Sequence, residues 1–393
     1  MNSHTTFLPS STQFLAERRD VKRWAAYDIV DEDVHPSNDL ETAGTTAQVL
    51  QFRVPDYGMF NKAAVQIKIT CNDDGGDSSN NADWAGLQFI NKATLYCGTR
   101  EIYSLDAATI VALTQQSSAT DAMIYMTAIP YKPTLDNVST GVQYTFYAPL
   151  PFGCFEDIHG LLDTQVVQDL RLEVSMRAAS DVLTNDTQDF TLDSVILKSQ
   201  FLVVEDYPAW YKQASTRAAP VTKDIYTEHP FVLTGTKDQA YTSPRIRLRC
   251  NKISSHTYIL LAVSGRPGQY LEGVRLDSVT VWDGDKVIHK TESDIEQMLM
   301  HHTEYRNHSH LKDNTMPNAA ATVYILNWGV FSTQALSNWK DLSASNLFLS
   351  FTAVLPHTPV HPATTVEYTA HISHDYYKKV SFNAQGGVAG IES

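Results

Sequence analysis

Four histidines crowd into HHTEYRNHSH at 301–310: His301, His302, His308 and His310. His308 and His310 have the spacing that puts two imidazoles on one face of a strand, where a pair can grip one metal ion. That arrangement wants a carboxylate four residues on, and Asn314 stands there. The cluster is expected to be a polar loop. A second concentration, CNDDGGDSSNNADW at 71–84, holds Asp73, Asp74 and Asp77. Calcium loops need oxygen ligands at fixed alternate positions and a terminal bidentate carboxylate. That spacing is missing, so an exposed strand connection is expected. A third, FEDIHG at 155–160, offers Glu156, Asp157 and His159, the residue types of acid–base catalysis. No GxSxG elbow, GxGxxG turn or Walker loop accompanies it. Cys71, Cys97, Cys154 and Cys250 lie far apart without a CxxC pair and read as buried thiols of a reducing compartment. No catalytic residues, metal or cofactor are expected, and the protein is not expected to be an enzyme.

The elements that would position such residues are mostly strands. The 393-residue chain is 43% hydrophobic and 19% charged, a globular balance. Its net charge of −14 argues against coating nucleic acid, which needs clustered Lys and Arg. No sequence-specific nucleic-acid binding is expected. No apolar run approaches the roughly 20 residues of a membrane-spanning helix. The opening MNSHTTFLPSSTQFLAERRD lacks the apolar core of a signal peptide, so none is expected. The sequons at Asn137, Asn185 and Asn307 are then chance matches.

One pattern occurs twice. LQFINKATLYCGTREI (87–102) and VRLDSVTVWDGDKVI (274–288) each run to an aromatic, pass a glycine two residues on, then show a basic residue and Ile. Gly98 and Gly284 lie 186 positions apart. Ser104 is placed to cap a helix after the first hairpin, and Thr291 with Asp294 resembles a capping box after the second. Further on, Leu150, Phe152, Gly153 and Phe155 match Leu326, Trp328, Gly329 and Phe331. Leu170, Leu172 and Val174 match Leu347, Leu349 and Phe351, alternating with the period of half-buried strands. Each copy closes on a β-rich run ending in Asp-Tyr, at 206–207 and 375–376. Strands separated by long returns suit Greek-key jelly rolls. The fold expected is mainly β: two tandem eight-stranded antiparallel jelly rolls with a few short helices. The first is expected over 40–207 and the second over 222–381, joined by a linker at 208–221, with a flexible tail at 382–393.

Residues 1–36 form an N-terminal arm in this reading. Phe14, Leu15 and Trp24 lie on a loose apolar stripe, and Arg18, Arg19, Lys22 and Arg23 make it the most basic patch of an acidic chain. A short amphipathic helix is expected, suited to a membrane surface or to strapping a neighbouring subunit.

Two like sandwiches in one chain can be related by a local rotation. If it is about 60°, three chains present six similar walls round a three-fold axis, a nearly hexagonal tile. Such association needs large apolar interfaces, typically about 2,000 Å² or more, and no active site. The paired hairpin–helix–strand modules, the aromatic-Gly strands PLPFG and LNWG, the connector and the chain length resemble the double jelly-roll major capsid proteins of tailless icosahedral DNA viruses. These include membrane-containing bacteriophages and the adenovirus hexon. The resemblance covers roughly residues 40–381. It implies a homotrimeric, pseudo-hexagonal capsomer in a virion, assembled in the host cytoplasm or nucleus. It also implies neighbouring capsomers, penton or minor capsid proteins and, in some relatives, an internal viral membrane as partners. The competing readings are a tandem jelly-roll enzyme of glycanase or bicupin type, and a glycan-binding module using aromatic loops such as PAWYK at 208–212.

Overall fold

The computed structural model describes residues 27–42, 46–71, 85–110, 113, 143–155, 160–178, 182, 190–204, 216–233, 239–249, 253–254, 256–264, 274–292, 322–328, 340–342, 346–354, 366–383 and 385–392. The first half contributes β1 (Tyr27–Val34), β2 (Gln48–Arg53), β3 (Met59–Cys71), β4 (Ile90–Cys97), β5 (Arg100–Asp106), β6 (Gln143–Pro149), β7 (Leu162–Asp163), β8 (Leu170–Met176) and β9 (Phe190–Val204). They build two facing sheets, ordered β1-β9-β3-β6, with β7 on β3, and β2-β8-β4-β5.

The second half contributes β10 (Thr216–Leu233), β11 (Ala240–Thr242), β12 (Ile246–Arg247), β13 (Ile253–Ser254), β14 (His256–Val263), β15 (Arg275–Asp283), β16 (Lys286–Thr291), β17 (Thr322–Asn327), β18 (Lys340–Asp341), β19 (Leu347–Val354), β20 (Val366–Phe382) and β21 (Val388–Glu392). Its sheets run β10-β20-β14-β17, with β21 on β20, and β11-β19-β15-β16, with β12 on β19. Taking β11 and β12 as one interrupted strand, the two halves have the same strand order. Each is an eight-stranded Greek-key sandwich.

The alternation read from the sequence builds the cores. Leu170, Leu172, Val174 and Met176 are buried on β8, and Leu347, Leu349, Phe351 and Ala353 are buried on β19. Withdrawing one such Leu or Phe from water contributes about 1.5–3 kcal/mol. The repeat extends to register. Leu95 lies opposite Leu172, and Val281 opposite Leu349. Each hairpin has an irregularity just before its aromatic, between Leu95 and Tyr96 and between Val281 and Trp282. Gly98 and Gly284 turn the hairpins at φ +58° and +59°, a left-handed conformation that favours glycine. Arg171 covers the Tyr96 ring at 5.3 Å and Arg245 covers Trp282 at 4.5 Å.

The structure differs from the sequence reading in four places. Ser104 is not a cap: β5 continues through it, and Asp106 Oδ1 accepts the Thr109 N–H at 2.8 Å to start a helix at 107–110. Ser104 and Leu105 are both buried, so this last strand of its sheet is covered on both faces. The helix expected beyond Thr291 falls outside the described residues. The Asp-Tyr match between closing strands is not the structural one. Val65 pairs with Ala148 and Leu197, and Ile259 pairs with Tyr324 and Ile372, so Leu197 corresponds to Ile372. Residues 27–34 and 216–221, expected in the arm and the linker, belong to the first strands of their sandwiches. Both strands lie at the ends of their sheets, where polar residues and a proline such as Pro220 are tolerated and the buried alternation fades. Lastly, residues 388–392 of the expected flexible tail form β21.

Candidate functional site

His301, His302, His308, His310, Asp73, Asp74, Asp77, Glu156, Asp157 and His159 lie outside the described residues, as do Phe14, Leu15, Arg18, Arg19, Lys22, Arg23 and Trp24 of the arm. The described residues instead bring together a seam between the sandwiches.

The seam starts from the sequence of β14. HTYILLAV is apolar at consecutive positions because both faces of the strand are buried. Ile259 and Leu261 point into the second core, while Tyr258, Leu260 and Ala262 join the first sandwich's cluster. Ile325 of β17 joins them, opposite Tyr258. Further along, Tyr376, Val380 and Phe382 of β20 belong to the same cluster. The first sandwich meets this face with β5, the last strand of its sheet. The Lys378 ammonium lies 5.5 Å from the centre of the Tyr103 ring. Tyr103 and Lys378 are both buried, so the contact is largely removed from solvent screening.

The chain's end closes one side of the seam. The Asn383 carboxamide oxygen accepts the N–H groups of Gln385 and Gly387 at 3.0 and 2.9 Å, folding the turn that leads into β21. At its tip Gly386 has φ +77°. Its carbonyl accepts the Gln168 N–H at 3.2 Å, and the Cys97 thiol lies 3.5 Å from the same oxygen and 3.3 Å from Gln168 O. Burial pushes the Cys97 thiol above its ordinary range. Cys97 and Cys154 are buried and outside any disulfide, as their spacing suggested; Cys250 lies outside the described residues.

β20 also carries buried polar residues, on both faces of its sheet, that sequence reasoning missed. His371 of β20 lies opposite Leu260, on the seam face. Burial holds it below the usual histidine range; Glu228 and Asp106 pull it up and Arg177 pushes it down. His374 is fully buried, and desolvation lowers it to about 4. Asp375 Oδ1 accepts the His256 backbone N–H at 2.6 Å, and its Oδ2 meets His256 Nδ1 at 2.9 Å. The Ser254 hydroxyl lies 3.0 Å from Asp375 Oδ1. Ser, His and Asp therefore meet here, but a nucleophile relay requires the hydroxyl on the imidazole. Ser254 bonds the carboxylate instead, and the group ties β13 and β14 to β20. The signal that could have found His374 is YTAHISHDY, in which it continues the apolar face of Tyr368, Ala370 and Ile372.

No protein-family model matches the chain, and no curated protein matches it. Solved structures do. A chain of the PBCV-1 virus capsid superimposes with a TM-score of 0.60 at 11% identity, covering 93% of this chain and 97% of that one. The Faustovirus major capsid protein gives 0.58 at 9% identity, covering 91% of each. The mavirus major capsid protein gives 0.57 at 9% identity, covering 92% of this chain and 90% of that one. At such identities the likeness is one of fold, and it spans both sandwiches: the chain has the double jelly-roll fold of these viral capsid proteins.

Proposed function

We propose that this chain is the major capsid protein of an icosahedral virus and that it assembles as a trimeric, pseudo-hexagonal capsomer. The observation that carries the reading is the near end-to-end likeness of both sandwiches to capsid proteins of PBCV-1, Faustovirus and mavirus. The internal repeat supplies the geometry. Within the chain, the outer face of β10-β20-β14-β17 lies against β5. Repeating that step sets β16 of one copy against the outer face of β1-β9-β3-β6 of the next. A step of about 60° closes the ring at three copies.

The surfaces involved suit assembly from a soluble monomer. The face is mixed, more polar than the apolar interface expected: Gln66 Nε2 donates to Tyr147 Oη at 2.6 Å and Lys198 pairs with Asp33, beside the exposed Ile29. Tyr147 is 42% exposed, and Val287 on β16 is 49% exposed. Light scattering after size exclusion is expected to give about 131 kDa, three copies of the 43.8 kDa chain. Val287→Asp combined with Tyr147→Ala is expected to move that peak to the monomer mass and leave the monomer's circular dichroism unchanged. A wild-type protein that runs as a monomer at all concentrations would sink the reading.

The arm is proposed to bind outside the capsomer. A cationic side chain near an anionic surface contributes on the order of 1 kcal/mol, and three arms per tile act together. Cosedimentation with phosphatidylserine vesicles is expected and should vanish when Arg18, Arg19, Lys22 and Arg23 are all changed to Glu. Sedimentation indifferent to that change would assign the arm to neighbouring capsomers instead. In the infected cell the protein is expected in the virion shell.

A further inference from the structure

β20 carries two buried imidazoles three residues apart, and its pairing puts them on opposite faces of the sheet. His371 lies opposite Leu260 on the seam face, and His374 opposite Thr257 toward the second core. The Trp328 indole N–H can only donate, and it lies 2.8 Å from Thr257 Oγ1. The Thr257 oxygen accepts there and meets His374 Nδ1 at 2.6 Å, a contact that a neutral ring satisfies in either tautomer. Among the described residues Nε2 has no hydrogen-bond partner.

An added proton makes both ring nitrogens donors. The Thr257 hydroxyl must then accept from the ring as well as from Trp328, and the Nε2 N–H has no acceptor among the described residues, inside a buried site. The Asp375 carboxylate is beside His374 in sequence but already engaged. It holds the His256 backbone N–H, the His256 ring and the Ser254 hydroxyl. His371 differs, because Glu228 of β10 at 3.6 Å and Asp106 at the end of β5 can share its charge, while Arg177 after β8 opposes it.

We propose that β20 is an acid-released joint: protonation of His374 places a charge and an N–H without an acceptor in a buried site and loosens the strand that supplies apolar residues to both sandwiches. The sign follows from the lowered histidine, about 4 when folded against an ordinary 6.5. The folded state favours the neutral ring. The stabilisation is complete above about pH 6.5 and is lost as the pH falls toward about 4. Between pH 7 and 4.5 the folding equilibrium constant should drop on the order of 100-fold through this group alone. The joint belongs to the single chain and does not depend on shell formation.

Two measurements on the full-length protein test it. Deuterium exchange at the imidazole C2, read by mass spectrometry on the peptide holding His374, should show no protonation midpoint above pH 5. A midpoint near 6.5 overturns the proposal. His374→Asn keeps an acceptor for Thr257 but cannot take the proton. Its urea stability should lose on the order of 100-fold less than wild type between pH 7 and 4.5, while His371→Asn should change that loss less. Equal losses in wild type and His374→Asn also overturn it. Should His374→Asn not fold, the exchange midpoint of the wild type decides.

Discussion

Leu260→Asp is expected to part the two sandwiches. Leu260 sits on β14 with its side chain in the seam cluster, 1% exposed. Truncating such a leucine costs about 2–5 kcal/mol through lost burial and the cavity left behind. A carboxylate adds a charge that must be desolvated without a partner, several kcal/mol more, or must take up a proton. The second core is spared, because Ile259 and Leu261 on the other face still point into it. The expected result is a thermal melt that splits into two transitions, with protease cleavage falling between β9 and β10. A single transition at the wild-type midpoint would mean that the seam does not hold the sandwiches together.

Gly386→Val should release the end of the chain. A Cβ at this position falls on the Val166 carbonyl oxygen and within 3.0 Å of the Gln168 nitrogen, both backbone atoms that cannot swing aside. The φ of +77° adds roughly 1–2 kcal/mol of strain for an L residue, more for a β-branched one. The least costly outcome is for the turn to leave its seat on the first sandwich. The readout is Cys97, 4% exposed in wild type. Its thiol should change from inert to readily alkylated at pH 8, and the tail should become the first site of proteolysis. Alkylation as slow as in wild type would show that the turn can refold around the new side chain.

The sandwiches were legible because alternation is local. Leu170–Val174 and Leu347–Phe351 announce their buried faces without reference to anything distant, and Gly98 and Gly284 mark hairpins by a conformation that glycine tolerates. Ser104 misled because capping residues and buried strand serines look alike until Asp106 is seen to hold the Thr109 N–H. The seam was hidden for a different reason. TYILLAV declares that both faces are covered but not by what. His371 and His374 look like ordinary polar residues unless their partners, 117 positions away at Thr257 and farther in the first sandwich, are known. NAQGGVAG has the composition of a loose tail. Its order comes from one carboxamide and from a groove on the first sandwich, and neither is visible in eight residues of sequence.

The position of that turn bears on how the protein is made. Tyr376, Val380, Phe382 and Gly386 complete surfaces of the first sandwich from the last strands of the chain. The ribosome emits the first sandwich ahead of these strands, so that sandwich lacks part of its covering until β14 and β20 have followed. A prematurely ended chain is left with bare apolar surface where β14 and β20 should lie, the mark by which chaperones and proteases sort failed products. Finishing the first sandwich and finishing the second become one event.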